Sequence, residues 1–170
     1  IRDAVAALPT SPWRDPTVAL LIAGFGLKMG LVPLHVWLPI AHPAAPMPAS
    51  AVLSGAIIKA GVIGLIRFLP FDVPLPDWGV ALTAIGFLTA FYSVIIGITQ
   101  PNPKTVLAYS SVSQMGVVAT VLGMGLAAGQ SSAVMAAAFY AAHHLLAKGA
   151  LFLAVGVVAA TGPRRLWWVL

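Results

Sequence analysis

Five long apolar stretches dominate the sequence and leave few folds open to it. Each has at least about 20 residues, the length that an α-helix needs to cross the hydrocarbon core of a bilayer. Short segments rich in proline and other helix breakers separate them, and none alternates polar with apolar residues as the strands of a membrane barrel do. The sequence therefore predicts an all-α membrane bundle of about five spans, over residues 17–39, 48–69, 78–99, 104–127 and 131–160.

Composition agrees with this class. The chain is 60% hydrophobic and only 8% charged, whereas soluble domains carry about 25% charged residues. It has no cysteine, which excludes disulfides and thiolate metal sites within these 170 residues. The basic residues are scattered, so we expect no nucleic acid as a partner. Because the sequence opens on Ile1 rather than Met, residues 1–170 are expected to be a single membrane-domain fragment of a longer protein.

Three lysines lie inside the predicted spans, namely Lys28, Lys59 and Lys148. A lysine at the bilayer centre costs about 2.5 to 3.5 kcal/mol on insertion scales, so we expect these side chains to face the protein interior. Burial disfavours the ammonium form, and a buried lysine can exchange its proton when a neighbouring charge changes. All four acids lie outside the spans. A counter-ion for Lys28 must therefore come from elsewhere.

A polar stripe is predicted on the last span. Tyr140, His144 and Lys148 are spaced by four residues and share one helix face, whereas His143 points about 100° away. Histidine can pass a proton between its two ring nitrogens. The sequence thus predicts a proton relay formed by Lys28, Lys59, His144 and Lys148, with water between the groups.

Pro33 interrupts the first span between Lys28 and His35. Proline removes a backbone donor and clashes with the preceding turn, so we expect a kink or a break there. A broken helix at membrane depth is tolerated where it lines a water-filled cavity. An ordinary proline kink remains the alternative.

Several further polar groups can serve the relay through water or simply join helices; these are His35, Tyr140, His143, Ser110, Ser111 and Gln114. A metal site at His35, His143 and His144 is a rival interpretation. We disfavour it because the spans contain no carboxylate or thiolate and the lysines would repel a cation. The other rival is a structural membrane anchor without its own ion path.

Three stretches resemble a known family: "KMGLVPLHVWLPIAHPAAPMPASAVLSGAIIKAGVIGLIRF" (28–68), "KTVLAYSSVSQMG" (104–116) and "HHLLAKGALFLAVG" (143–156). They are similar to the antiporter-like membrane subunits of respiratory complex I, of multisubunit sodium/proton antiporters and of group 4 membrane-bound hydrogenases. "PLHVWLP" followed by "AHPAAP" is most similar to the hydrogenase branch of the formate hydrogenlyase type. Complex I relatives usually carry Asp where this chain has Ile40.

The resemblance implies a multi-pass subunit of about fourteen helices with inverted repeats, of which this chain holds five. It implies translocation of protons, or of sodium, in a membrane-bound oxidoreductase complex of a bacterial or archaeal plasma membrane. Lys28 would pair with a glutamate from helices outside this chain, and other membrane subunits would be partners. No cofactor and no redox chemistry are expected in this chain itself.

Overall fold

The computed structural model describes residues 2–161, and every regular element in that part of the chain is helical, which confirms the predicted class. Residue 1 and residues 162–170 of the predicted fragment lie outside the described residues. The helices are α1 (Arg2–Ala7), a 3-10 turn (Leu8–Thr10), α2 (Arg14–Met29), α3 (Trp37–Ala44), α4 (Met47–Val52), a π turn (Leu53–Ile57), α5 (Lys59–Phe68), α6 (Pro76–Gly97), α7 (Pro103–Ala128) and α8 (Ser132–Thr161).

Four helical segments are long and apolar enough to cross a membrane: Met47–Phe68, Pro76–Gly97, Pro103–Ala128 and Ser132–Thr161. They correspond to the last four predicted spans. The first predicted span consists instead of two shorter helices, α2 and α3, on either side of a break. The break that the sequence predicted near Pro33 is therefore present.

The break begins at Gly30, three residues before Pro33. Gly30 has a φ of 79°, in the left-handed region that glycine enters without a steric penalty. The backbone N–H of Leu31 then donates to the Gly26 carbonyl at 2.9 Å, which closes the end of α2. The Val32 N–H donates to Thr89 Oγ1 on α6 at 3.0 Å. Glycine ends the helix and α6 holds the broken segment in place.

The second span is also irregular, which the sequence analysis did not predict. A π turn over Leu53–Ile57 separates α4 from α5, and Lys59 is the first residue of α5. One residue inserted into an α-helix rotates all that follows by about 100°. The π turn thus sets the direction in which the Lys59 side chain leaves the helix, and such turns are frequent at functional sites.

Helix α7 is the most buried of the long helices and packs closely on α6. A Cβ added at Gly116 would lie 2.6 Å from the Gly86 carbonyl oxygen and 2.6 Å from the Ala90 nitrogen. Small residues of this kind let membrane helices approach backbone to backbone. Helix α8 contacts α7 and α4, and α2 contacts α5. The π turn, α5, α7 and α8 thereby meet around one interior region.

The chain connections mark the two ends of the bundle. At one end, which we call the Lys104 end, Lys104 Nζ donates to the Ala45 carbonyl at 2.7 Å. This bond joins the α3–α4 connection to the start of α7. At the other end, the Leu75 N–H donates to the Leu126 carbonyl at 2.9 Å. Since α8 starts next to the second end, its later residues approach the Lys104 end.

Candidate functional site

Lys59 and His144 are in direct contact inside the bundle. Lys59 Nζ lies 2.7 Å from His144 Nδ1, and their side chains are 5% and 4% exposed. Lys59 Nζ also donates to the Ser54 carbonyl at 2.6 Å. An ammonium group can only donate, whereas a neutral amine can accept from an Nδ1–H. The two forms of this contact differ in the position of a single proton.

Lys148 is buried one turn beyond His144 on α8, with 3% of its surface exposed. Its Nζ donates to the Leu107 carbonyl on α7 at 3.0 Å. The same carbonyl accepts a hydrogen bond from Ser111 Oγ at 2.9 Å. Lys148 is therefore fixed to α7 at the point where a buried hydroxyl is also bonded.

Two buried serines connect the two lysines. Ser54 Oγ and Ser111 Oγ are 2.7 Å apart, and neither side chain is exposed. Ser54 accepts from Lys59 through its carbonyl, and Ser111 shares the Leu107 carbonyl with Lys148. We call Lys59, His144, Lys148, Ser54 and Ser111 the buried cluster. The hydroxyls can donate and accept in turn, whereas the two carbonyls only accept and therefore hold the lysines in position.

Ser111 is among the residues predicted from the sequence, whereas Ser54 is not. No pattern marks the contact of Ser54 with Lys59, because Lys59 bonds to the backbone carbonyl of Ser54, a group that every residue has. The π turn that brings the Ser54 carbonyl to Lys59 Nζ also leaves no pattern in the sequence.

No carboxylate compensates the cations of the buried cluster among the side chains that the structure describes. In that part of the chain the salt bridge is Arg14–Asp15, 2.9 Å between Nε and Oδ1, at the exposed start of α2. The buried ammonium groups instead have carbonyl oxygens and an imidazole nitrogen as partners. Two ammonium groups in one site of low dielectric constant repel each other, so adding a proton to one favours release from the other.

Lys28 lies apart from the buried cluster. It is exposed on α2 and lines a groove with a volume of about 570 Å³, whose other walls include Phe25 and Ala60. Ala60 follows Lys59 in sequence, so the groove reaches α5, the helix that carries Lys59. Among the side chains that the structure describes, none bonds to Lys28, and its part in the relay stays a prediction.

The other predicted polar groups divide into two sets. His35 is buried on the edge of Tyr92, with ring centroids 5.3 Å apart, and has no hydrogen bond to the buried cluster. Tyr140 donates to Gln114 Oε1, and Ser110 and Gln114 line a cavity of about 180 Å³ between α6 and α7. Neither set has a hydrogen bond to the buried cluster among the described side chains.

The three histidines of the rival metal site do not come together. His144 is directed at Lys59, His143 is exposed on another face of α8, and His35 packs on Tyr92. Among the described residues, no three histidine or acidic side chains are placed to hold one metal ion.

His42 is a buried histidine that the sequence analysis did not single out. Its side chain is 0% exposed and stacks on Phe152, with ring centroids 4.7 Å apart and planes at 18°. Neither ring nitrogen has a hydrogen-bond partner among the described residues. It lies beyond the predicted first span, in a segment that was assigned to a connection, and α3 extends through that segment.

The sequence matches a family model and is similar to known bacterial proteins. Residues 8–165 match a family model described as "NADH:quinone oxidoreductase/Mrp antiporter, TM". The chain is 42% identical over 163 residues to an uncharacterized protein of Mycobacterium tuberculosis, covering 90% of this chain and 26% of that protein. It is 37% identical over 164 residues to hydrogenase-4 component B of Escherichia coli, covering 89% of this chain and 24% of that protein.

A solved structure has a similar fold. The Mrp complex from Dietzia sp. DQ12-45-1b contains a chain that superposes with a TM-score of 0.74 at 26% identity, covering 88% of this chain and 28% of that one. The chain spans about a quarter of the length of the two curated relatives described above, which it covers to 26% and 24%.

Proposed function

Because the chain belongs to the NADH:quinone oxidoreductase/Mrp antiporter transmembrane family, we propose that it forms part of an ion-translocating, antiporter-like membrane subunit. The ion is a proton, or in the alternative sodium, and the path runs through Lys28, Lys59, His144 and Lys148. The observation that carries this proposal is the contact of 2.7 Å between Lys59 Nζ and His144 Nδ1 in the interior of the bundle.

The first step of the proposed path is a proton transfer within that contact. The Lys59 ammonium gives a proton to His144 Nδ1, which leaves a neutral amine and an imidazolium. The imidazolium then releases the proton carried on Nε2 to a water molecule of the proposed relay, since Nε2 has no partner among the described residues. The net result is one proton moved across the ring, with the histidine returned to its neutral form in the other tautomer.

The second step depends on repulsion between the lysines. A proton that reaches Lys148 while Lys59 is a neutral amine makes Lys148 the cation of the buried cluster, and this cation opposes reprotonation of Lys59. The hydroxyls of Ser54 and Ser111, 2.7 Å apart, lie between the carbonyls that hold the two lysines. We propose that the two hydroxyls couple the protonation of one lysine to that of the other, either by passing protons or by orienting water.

The proposed setting is a multi-subunit complex of a bacterial plasma membrane. The solved relative is part of an Mrp complex, and a curated relative is a hydrogenase-4 component. By analogy, we propose that this chain assembles with other membrane subunits, that residues 1–170 form one membrane domain, and that helices outside the chain supply a glutamate to Lys28. We propose no cofactor for the chain itself.

Lys28→Ala tests the outer part of the path. We expect it to lower ion transport by the full-length protein about tenfold, because Lys28 is the charged residue of the groove that Ala60, next to Lys59, also lines. The measurement is the dye-reported rate of proton uptake in inverted membrane vesicles, repeated with sodium replaced by choline. Thr17→Ala, in the same groove, is the matched control and should keep the parental rate.

Unchanged transport in Lys28→Ala would remove Lys28 from the path. If the chain is instead a structural anchor without an ion path, no substitution at Lys28, Lys59 or Lys148 should alter transport when the complex assembles normally.

A further inference from the structure

His42 is a buried polar group that the proposed relay does not use. It comes from α3, the second half of the broken span, and Phe152 of α8 covers one face of its ring. A histidine in a dry core normally bonds at least one ring nitrogen, because an unpaired buried polar atom loses its hydration without compensation. Both nitrogens of His42 lack a partner among the described residues.

The stack of His42 on Phe152 shows where its ring lies relative to Lys148. Phe152 follows Lys148 by one turn of α8 on the same face, about 6 Å along the helix axis. Since later residues of α8 approach the Lys104 end, the ring that stacks on Phe152 lies between Lys148 and that end. Among the described residues, Lys148 and Lys104 carry the positive charges that act on the ring.

Hydrogen bonds to backbone carbonyls connect the segment around His42 to α4 and to the Lys104 end of the bundle. Ser50 Oγ donates to the His42 carbonyl at 3.1 Å, so this end of α3 is fixed to α4. Three residues later, the Ala45 carbonyl accepts from Lys104 Nζ at the first turn of α7. Only about one helical turn of chain separates the buried imidazole from the connection that forms the Lys104 end.

We propose that His42 is a further proton-carrying residue, which links Lys148 to the aqueous phase at the Lys104 end of the bundle. This inference rests on the proposed function. The Lys148 ammonium, directly or through water, gives a proton to one nitrogen of the neutral ring, and the other nitrogen releases its proton to water at the Lys104 end. Lys148 becomes a neutral amine, and the ring returns to its neutral form in the other tautomer.

The principal test is His42→Phe in the full-length protein within its complex. Phenylalanine keeps the stack on Phe152 but cannot carry a proton, and we expect proton uptake in inverted vesicles to fall at least about tenfold per assembled complex. Phe152→Leu is the packing control and should stay within about twofold of the parent. His42→Gln replaces His42→Phe if native gels show that the first variant does not assemble.

A second measurement uses the unsubstituted protein. Deuterium exchange at the ring carbon between the two nitrogens, followed by mass spectrometry, reports whether a histidine meets water and becomes protonated. We expect exchange at His42 although the ring is 0% exposed in the structure. The exposed His143 serves as the internal reference.

Three outcomes separate the two proposals. Loss of transport in both His42→Phe and Lys148→Leu, with exchange at His42, supports the inference. Parental transport in His42→Phe or His42→Gln, or no exchange at His42 while His143 exchanges, overturns it and leaves the relay intact if Lys148→Leu has lost transport. Parental transport in Lys148→Leu overturns the relay itself and the link to His42 with it.

Discussion

We expect Lys59→Met to abolish ion transport by the full-length protein while its complex still assembles. Methionine fills a similar volume without a titratable group, so His144 loses the partner that now lies 2.7 Å away and the Ser54 carbonyl loses its donor. Removing a group that transfers a proton costs on the order of 100-fold or more in rate. The measurement is proton uptake in inverted vesicles, normalised to assembled complex on native gels.

Arg67→Met is the matched control for Lys59→Met. Arg67 is a cation on the same helix, α5, but it is exposed and lies in the last turn. We expect transport within about twofold of the parent. If Lys59→Met transports at the parental rate, or if Arg67→Met is equally inactive, Lys59 has no special part in the path.

The second large effect is expected from Lys148→Arg, which keeps the positive charge and the ability to donate to the Leu107 carbonyl. Arginine does not release its proton in proteins. If Lys148 passes protons, the substitution should reduce proton transport at least about 100-fold, as Lys148→Leu should. If the lysine supplies only a fixed charge or a helix contact, Lys148→Arg should retain transport and Lys148→Leu should not.

The same pair of variants bears on the identity of the ion. Sodium transport guided by a fixed positive charge would survive Lys148→Arg, whereas a proton path through the amine would not. Sodium-dependent and proton-dependent uptake should therefore be measured side by side. Parental proton uptake in Lys148→Arg would contradict proton transfer at this residue.

The spans and the break could be predicted because they depend on local properties. The apolar lengths follow from the thickness of a bilayer, and Pro33 favours a kink or a break because proline lacks a backbone donor. The pairing of His144 with Lys148 on one face follows from helical spacing alone. The structure places both side chains in the interior, whereas Tyr140 of the same predicted stripe is 36% exposed.

The contacts between helices could not be predicted, because spacing along the sequence does not show which helices are neighbours. The bond between Lys59 and His144 joins residues 85 positions apart, and the serine pair joins residues 57 apart. The π turn that directs Lys59 depends on packing rather than on a local motif. His42 lay in a segment whose prolines suggested a connection, and its burial depends on Phe152 in α8.

Lys28 differs in position from the two lysines of the buried cluster. The sequence placed Lys28, Lys59 and Lys148 in one predicted path because each interrupts an apolar span. The structure brings Lys59 and Lys148 to the same interior region through Ser54, Ser111 and their carbonyl partners, while Lys28 is exposed on α2.

The most direct test is an electron cryomicroscopy map of the full-length protein in a lipid nanodisc, at a resolution that shows ordered water. Our account predicts Lys59 Nζ within hydrogen-bond distance of His144, and water molecules joining this pair to Lys148. A map with dry leucine and valine side chains between the two lysines, or with either lysine turned towards lipid, would contradict it.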